Sequence, residues 1–207
     1  MNKYLHTKFT TILLSFLCLM CKTAFTSENI LIFGDSLSSG YGISIEDSWT
    51  ELLAKKITKR NPDISVINRS ISGETTSGGV RRLPKVLSKL SPKIVVLELG
   101  SNDALRGLPL NQTKLNLAKM VELSKTNGAK PLIIGMQIPP NYGKAYSEKF
   151  FNIFKQIADD TKIPIVPFML QGFAEDRNFF LADQIHPNER AQKRILENIW
   201  KELEPLL

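Results

Sequence analysis

The sequence predicts an α/β fold: a three-layer α/β/α sandwich around a central, mostly parallel five-stranded sheet. Two observations carry this reading. Short, continuous apolar runs alternate with longer amphipathic segments from residue 29 onward. Such runs suit strands buried on both faces between layers of helices. The 207 residues, 43% of them hydrophobic and 23% charged, also suit one domain with a substantial core and exclude a disordered or fibrous chain.

The strands come in order. Asn29-Ile30-Leu31-Ile32-Phe33 is the first and ends at Gly34. Ile64 to Asn68 is the second, and Lys93 to Leu99 the third, ending at Gly100. Pro131 to Met136 is the fourth, and Ile163-Pro164-Ile165-Val166-Pro167 a weaker fifth. Between them lie helices. Asp47 or Ser48 can cap one whose Trp49, Leu52, Leu53 and Ile57 share a face. Further helices are expected over 77–90, 111–125 and 147–160. A last one carries Ala191, Ile195, Leu196, Ile199 and Leu203 on one face and stops at Pro205. The regular alternation shows no repeat or interdomain linker, so residues 27–207 read as one domain.

The N-terminus reads differently. Lys3, His6 and Lys8 precede an apolar stretch from Thr10 to Met20. That stretch is short of the roughly 20 residues that span a bilayer, so a cleaved secretory signal over residues 1–26 is expected. Ala24-Phe25-Thr26 is a loose small-x-small site, and an uncleaved anchor is the alternative. Cys18 and Cys21 both lie in this segment, so neither disulfides nor thiol catalysis is expected of the mature chain. Loss of Lys3, Lys8 and Lys22, with no acid among them, lowers the formal charge from +7 to +4. No basic-aromatic tract points to nucleic acid. The expected location is the periplasm or the exterior, and the expected state a monomer with no stable membrane span.

After removal of the signal only one histidine remains, His186. A multi-histidine zinc site is thereby excluded, and no metal or organic cofactor is expected. Asp183 stands three residues before His186, in Asp183-Gln184-Ile185-His186-Pro187. A short turn brings such a carboxylate to the imidazole, fixing its tautomer. Asn188 can cap the helix that follows. Ser36 lies in Gly34-Asp35-Ser36-Leu37, directly after the first strand. Gly73 follows the second strand and Asn102 the third. Each alone reads as an ordinary turn. Together they supply a nucleophile (Ser36), a base (His186) and an orienting acid (Asp183). They also supply three oxyanion donors, the amides of Ser36 and Gly73 and the Asn102 side chain. All occupy the strand ends where this fold gathers reactive groups.

These blocks, in this order, resemble the SGNH or GDSL hydrolase family over essentially all of residues 29–207. They are closest to its bacterial periplasmic thioesterase, lysophospholipase and arylesterase group. Gly100-Ser101-Asn102-Asp103 and Asn102-Asp103-Ala104-Leu105-Arg106-Gly107 belong to the same likeness. Small departures are Glu74, where relatives often carry Asp, and Gln184, where they often carry Gly. The resemblance implies a flavodoxin-like fold and hydrolysis of acyl esters or thioesters through an acyl-serine intermediate. A lysophospholipid is a candidate substrate. Alternatives are a carbohydrate-directed deacetylase of the same family or a non-catalytic binding protein. The resemblance also points to two acyl-binding loops, one with Ala104, Leu105 and Leu108, the other with Ile138, Pro139 and Pro140. Arg106 reads as a solvated loop charge.

Overall fold

The structure is a computed structural model that describes residues 28–207. The expected signal segment lies outside the described residues. Five parallel strands form one sheet: β1 (Glu28–Gly34), β2 (Ile64–Asn68), β3 (Ile94–Glu98), β4 (Lys130–Ile134) and β5 (Ile165–Val166). Their spatial order is β2-β1-β3-β4-β5. Every residue of β3, and all of β1 after Glu28, is buried. Continuous burial explains why both strands read as nearly continuous apolar runs rather than as alternating ones. β5 is only two residues long. Pro164 and Pro167 flank it, and neither has an N–H to extend the ladder.

Seven α-helices connect or follow the strands among the described residues. They are α1 (Ser36–Ser39), α2 (Trp49–Arg60), α3 (Thr76–Leu90), α4 (Ser101–Leu105), α5 (Leu110–Thr126), α6 (Lys144–Thr161) and α7 (Glu189–Leu203). The chain moves one way from β1 to β2 and the other way thereafter. Right-handed crossovers then put α2 on one face and α3, α5 and α6 on the opposite face. The packing agrees: α3 lies on α5 and α5 on α6, while α2 lies on α7. The reversal falls between β1 and β3, the switch point where ligands bind in open parallel sheets.

Local chemistry sets the ends of these elements. Ser48, one of the two expected caps, accepts from the amide of Glu51 at the start of α2. Thr75 does the same for α3 through Gly78, and Asn188 for α7 through Arg190. Pro84 sits inside α3, where it removes one helical N–H. It lies on the exposed side, where water can meet the carbonyl left over. The two shortest helices, α1 and α4, stand where the sequence suggested plain turns.

Trp49 is fully buried, donates its indole N–H to the carbonyl of Leu37 at 3.1 Å, and donates its backbone amide to Gln192 Oε1 at 3.0 Å. Gln192 in turn donates to the carbonyls of Pro187 and Asn188. One buried tryptophan thus couples α1, α2 and the loop before α7. Truncating such a side chain costs about 3–5 kcal/mol. Among the described residues no helix is long and apolar enough to cross a membrane.

Candidate active site

β1 closes at Gly34, where a side chain has no room. A Cβ there would stand 2.5 Å from Glu98 Oε2 and 2.8 Å from the Glu98 carbonyl. The chain then turns directly into α1. Asp35 caps that helix by accepting from the Leu37 amide at 3.0 Å, and Ser36 is its first residue. The Ser36 amide is therefore one of the donors that a helix start leaves without an intrahelical partner.

The loop between β5 and α7 brings the histidine to this serine. His186 Nε2 lies 3.0 Å from Ser36 Oγ, and His186 Nδ1 lies 2.7 Å from Asp183 Oδ2. The other Asp183 oxygen accepts from the amides of Ile185 and His186, at 2.9 and 3.0 Å. Partial burial works to raise the Asp183 pKa. The two amides and the imidazole outweigh it and bring it down to about 2. The turn requires a left-handed residue at Gln184, with φ of 58°. Leu181 and His186 hold the loop closed, N–H to carbonyl, at 2.8 Å.

Two further loops converge on the same point. The amide of Ile71 donates to the Gly34 carbonyl at 3.0 Å, and the hydroxyls of Ser39 and Ser72 meet at 2.8 Å. These bonds bring Gly73 beside the start of α1. Gly73 has φ of +77°, open to glycine at no steric cost. Asn102, in α4, donates from Nδ2 to Asp35 Oδ2 at 3.0 Å. An amide nitrogen carries two hydrogens, so one is left for a ligand. Asp103 anchors the two loops to each other. It is buried, and it accepts from the Thr76 amide at 2.9 Å and from the Thr76 hydroxyl at 2.5 Å. The structure therefore brings together Ser36, Gly73, Asn102, Asp183 and His186.

Beneath the serine lies a pair of acids that sequence reasoning missed. Glu98 is wholly buried; its Oε2 accepts from the Asp35 amide and from Ser38 Oγ, at 3.2 and 2.7 Å. Its Oε1 has no hydrogen-bond partner among the described residues. Burial raises the Glu98 pKa well above the ordinary carboxylate range, and the Asp35 charge pushes it further. Burial also raises Asp35, to about 6, against the pull of the Leu37 amide and Asn102. The only signal in the sequence was an acid inside an apolar strand.

A cleft of about 1160 Å³ opens beside the serine and the histidine. Leu105, Ile138 and Pro139 line it, as the sequence suggested. Ala104 does not: it is fully buried, and its carbonyl accepts from the Tyr146 hydroxyl. Leu108 does not line it either, because the chain leaves α4 after Leu105 and carries Leu108 into solvent. The remaining wall was not anticipated. Phe168, Leu170, Phe173 and Phe180 follow β5 and complete an apolar lining with Met136. Their segment has no hydrophobic period that would mark a lining face.

A hydroxyl, an imidazole and a carboxylate in line at the carboxyl edge of a parallel sheet form an arrangement used for acyl transfer. Residues 32–194 match the GDSL-like lipase/acylhydrolase family. The esterase TesA of Pseudomonas aeruginosa is 42% identical, over 87% of this chain and 90% of that protein. The thioesterase 1/protease 1/lysophospholipase L1 of Escherichia coli is 38% identical, over 93% of this chain and 91% of that protein. Among solved structures, the psychrotrophic esterase EstA of a Pseudoalteromonas species, inhibited by monoethylphosphonate, superposes with a TM-score of 0.81 at 38% identity. That match covers 86% of this chain and 97% of EstA. The chain belongs to the GDSL-like lipase/acylhydrolase family and is a hydrolase of acyl esters or thioesters.

Proposed function

We propose that Ser36 is the nucleophile of this hydrolase, His186 its base and Asp183 the residue that orients the base. Ser36 Oγ attacks the acyl carbonyl while His186 Nε2 takes its proton. Asp183 stabilises the imidazolium that results. The oxyanion is held by the amides of Ser36 and Gly73 and by Asn102 Nδ2. His186 then gives the proton to the leaving alcohol or thiol, and an acyl-serine remains. Water, activated by the same histidine, releases the carboxylic acid and restores the serine. The observation that carries this reading is the unbroken line from Asp183 through His186 to Ser36, at 2.7 and 3.0 Å.

The substrates are acyl esters and thioesters with a lipid-like acyl group, lysophospholipids among them. The apolar cleft supports this part of the reading, since a chain laid against Leu105, Ile138 and Phe173 loses its contact with water. The names of the relatives support it too. We further propose export to the periplasm or beyond, with a leader removed near residue 26, and a monomeric mature enzyme.

The test is Ser36→Ala. The variant should keep the circular-dichroism spectrum and unfolding midpoint of the parent, lose hydrolysis of p-nitrophenyl esters, and resist labelling by a fluorophosphonate. Substantial turnover by the folded variant would exclude the nucleophile. A chain-length series of esters beside acetylated sugars tests the substrate class, and preference for the sugars would overturn it. N-terminal sequencing of the exported protein checks the leader.

A further inference from the structure

Arg106 is neither a free surface charge nor idle. It follows α4 directly, and its guanidinium reaches across to the loop after β2. There Nη2 donates to the Gly73 carbonyl at 2.9 Å. The same nitrogen lies 3.4 Å from Asn102 Oδ1. One exposed cation thus contacts both residues that flank Ser36 as oxyanion donors.

Each contact restrains a group whose orientation bears on the oxyanion donors. Gly73 lacks a side chain and has the widest torsional freedom of any residue. Anchoring its carbonyl restrains ψ of Gly73, one of the two torsions that relate that carbonyl to the amide. The Asn102 carboxamide has two faces that differ only by a flip. Arg106 meets its oxygen and Asp35 its nitrogen, so charges of opposite sign at opposite ends select one flip state. Asp35 also caps α1 through Leu37, so changing it disturbs the nucleophile itself. Arg106 makes no such contact with the serine turn.

We propose that Arg106 is a positioning residue of the oxyanion site, holding the Gly73 loop and the Asn102 carboxamide in register before substrate arrives. The inference rests on the oxyanion roles assigned above. Its chemistry is preorganisation: donors held in place need not reorganise as charge develops, and misplacing them costs rate rather than binding.

The test uses an uncharged p-nitrophenyl ester and the variants Arg106→Gln, Arg106→Lys and Asn102→Ala, each checked for an unchanged unfolding midpoint. Arg106→Gln should lower kcat about tenfold or more with KM little changed. Arg106→Lys, which keeps a donor for Gly73 but not the planar fork, should lie between. Added guanidinium ion should restore part of the loss in Arg106→Gln. In an Asn102→Ala background the further loss should shrink, because both changes act on one device. A parental kcat in Arg106→Gln overturns the inference, as does a rise in KM alone, which would mark a substrate clamp. Asn102→Ala separates the two levels. If that variant keeps its parental kcat, the oxyanion role itself fails. If it loses activity while Arg106→Gln does not, only the positioning role fails.

Discussion

The ring of Tyr41 lies over the imidazole of His186, with centroids 4.4 Å apart and planes tilted by 41°. Tyr41 follows α1 and is half exposed, so it shields one face of the imidazole from water. A ring held by an aromatic neighbour on one side and Asp183 at its edge has little freedom to swing away from Ser36. Tyr41→Ala should lower kcat severalfold, whereas Tyr41→Phe should stay near the parent, because the hydroxyl plays no part in the stacking. Steady-state kinetics on one ester decide this; equal losses in both variants would assign the effect to the phenol oxygen.

Glu98 gives a prediction about stability. Its folded pKa lies well above that of an unfolded glutamate, so folding disfavours its ionised form. The sign follows: below about pH 4.3, the unfolded value, both states hold the proton and there is no penalty. As the pH rises toward the folded pKa, the unfolded state ionises and the penalty grows. Glu98→Gln removes this slope and preserves an acceptor for the Asp35 amide and Ser38. The urea midpoint of the variant should therefore gain on the parent between pH 4 and pH 8. A difference independent of pH would contradict a neutral Glu98.

Asp183 behaves oppositely. Its folded pKa is lowered to about 2, against about 3.9 for an unfolded aspartate. The stabilisation is complete above the unfolded value and is lost as the pH falls through the folded one. Asp183→Asn should be less stable than the parent at pH 6, and the gap should close between pH 4 and pH 2. Chemical denaturation of both proteins at several pH values measures it. A gap that persists at pH 2 would mean the loop is held by something other than the charge.

Gln184 occupies φ of 58°, a region that glycine enters freely and β-branched residues almost never. Gln184→Gly should leave thermal stability close to that of the parent, since relief of strain offsets the added freedom of the unfolded chain. Gln184→Val should lose about 1–3 kcal/mol. Equal melting temperatures for the glycine and valine variants would show that the turn relaxes at no cost.

Much of this was legible in the chain. β1 and β3 stood out because burial on both faces favours nearly continuous apolar runs, broken only by Asn29 and Glu98, and α7 because its apolar stripe is complete. The candidate site was legible for a different reason: with one histidine left beyond residue 26, the proposed base had no rival. What escaped were features that depend on side-chain direction. Ala104 and Leu105 are neighbours in sequence, yet α4 turns one into the core and the other into the cleft. The apolar segment from Phe168 to Phe173 has no period to say which side it faces. Glu98 and Asp35 give no sign in sequence that they share one buried space, because that contact comes from the pairing of Gly34 with Glu98 across the sheet.

Ser36 and His186 stand 150 positions apart in the chain, one after the first strand and the other after the last. Contacts of such long range form late, because the intervening chain must first be ordered. During refolding, helical signal and compaction should therefore return before esterase activity. A fluorophosphonate added at intervals would time the moment when the C-terminal loop closes onto the first strand.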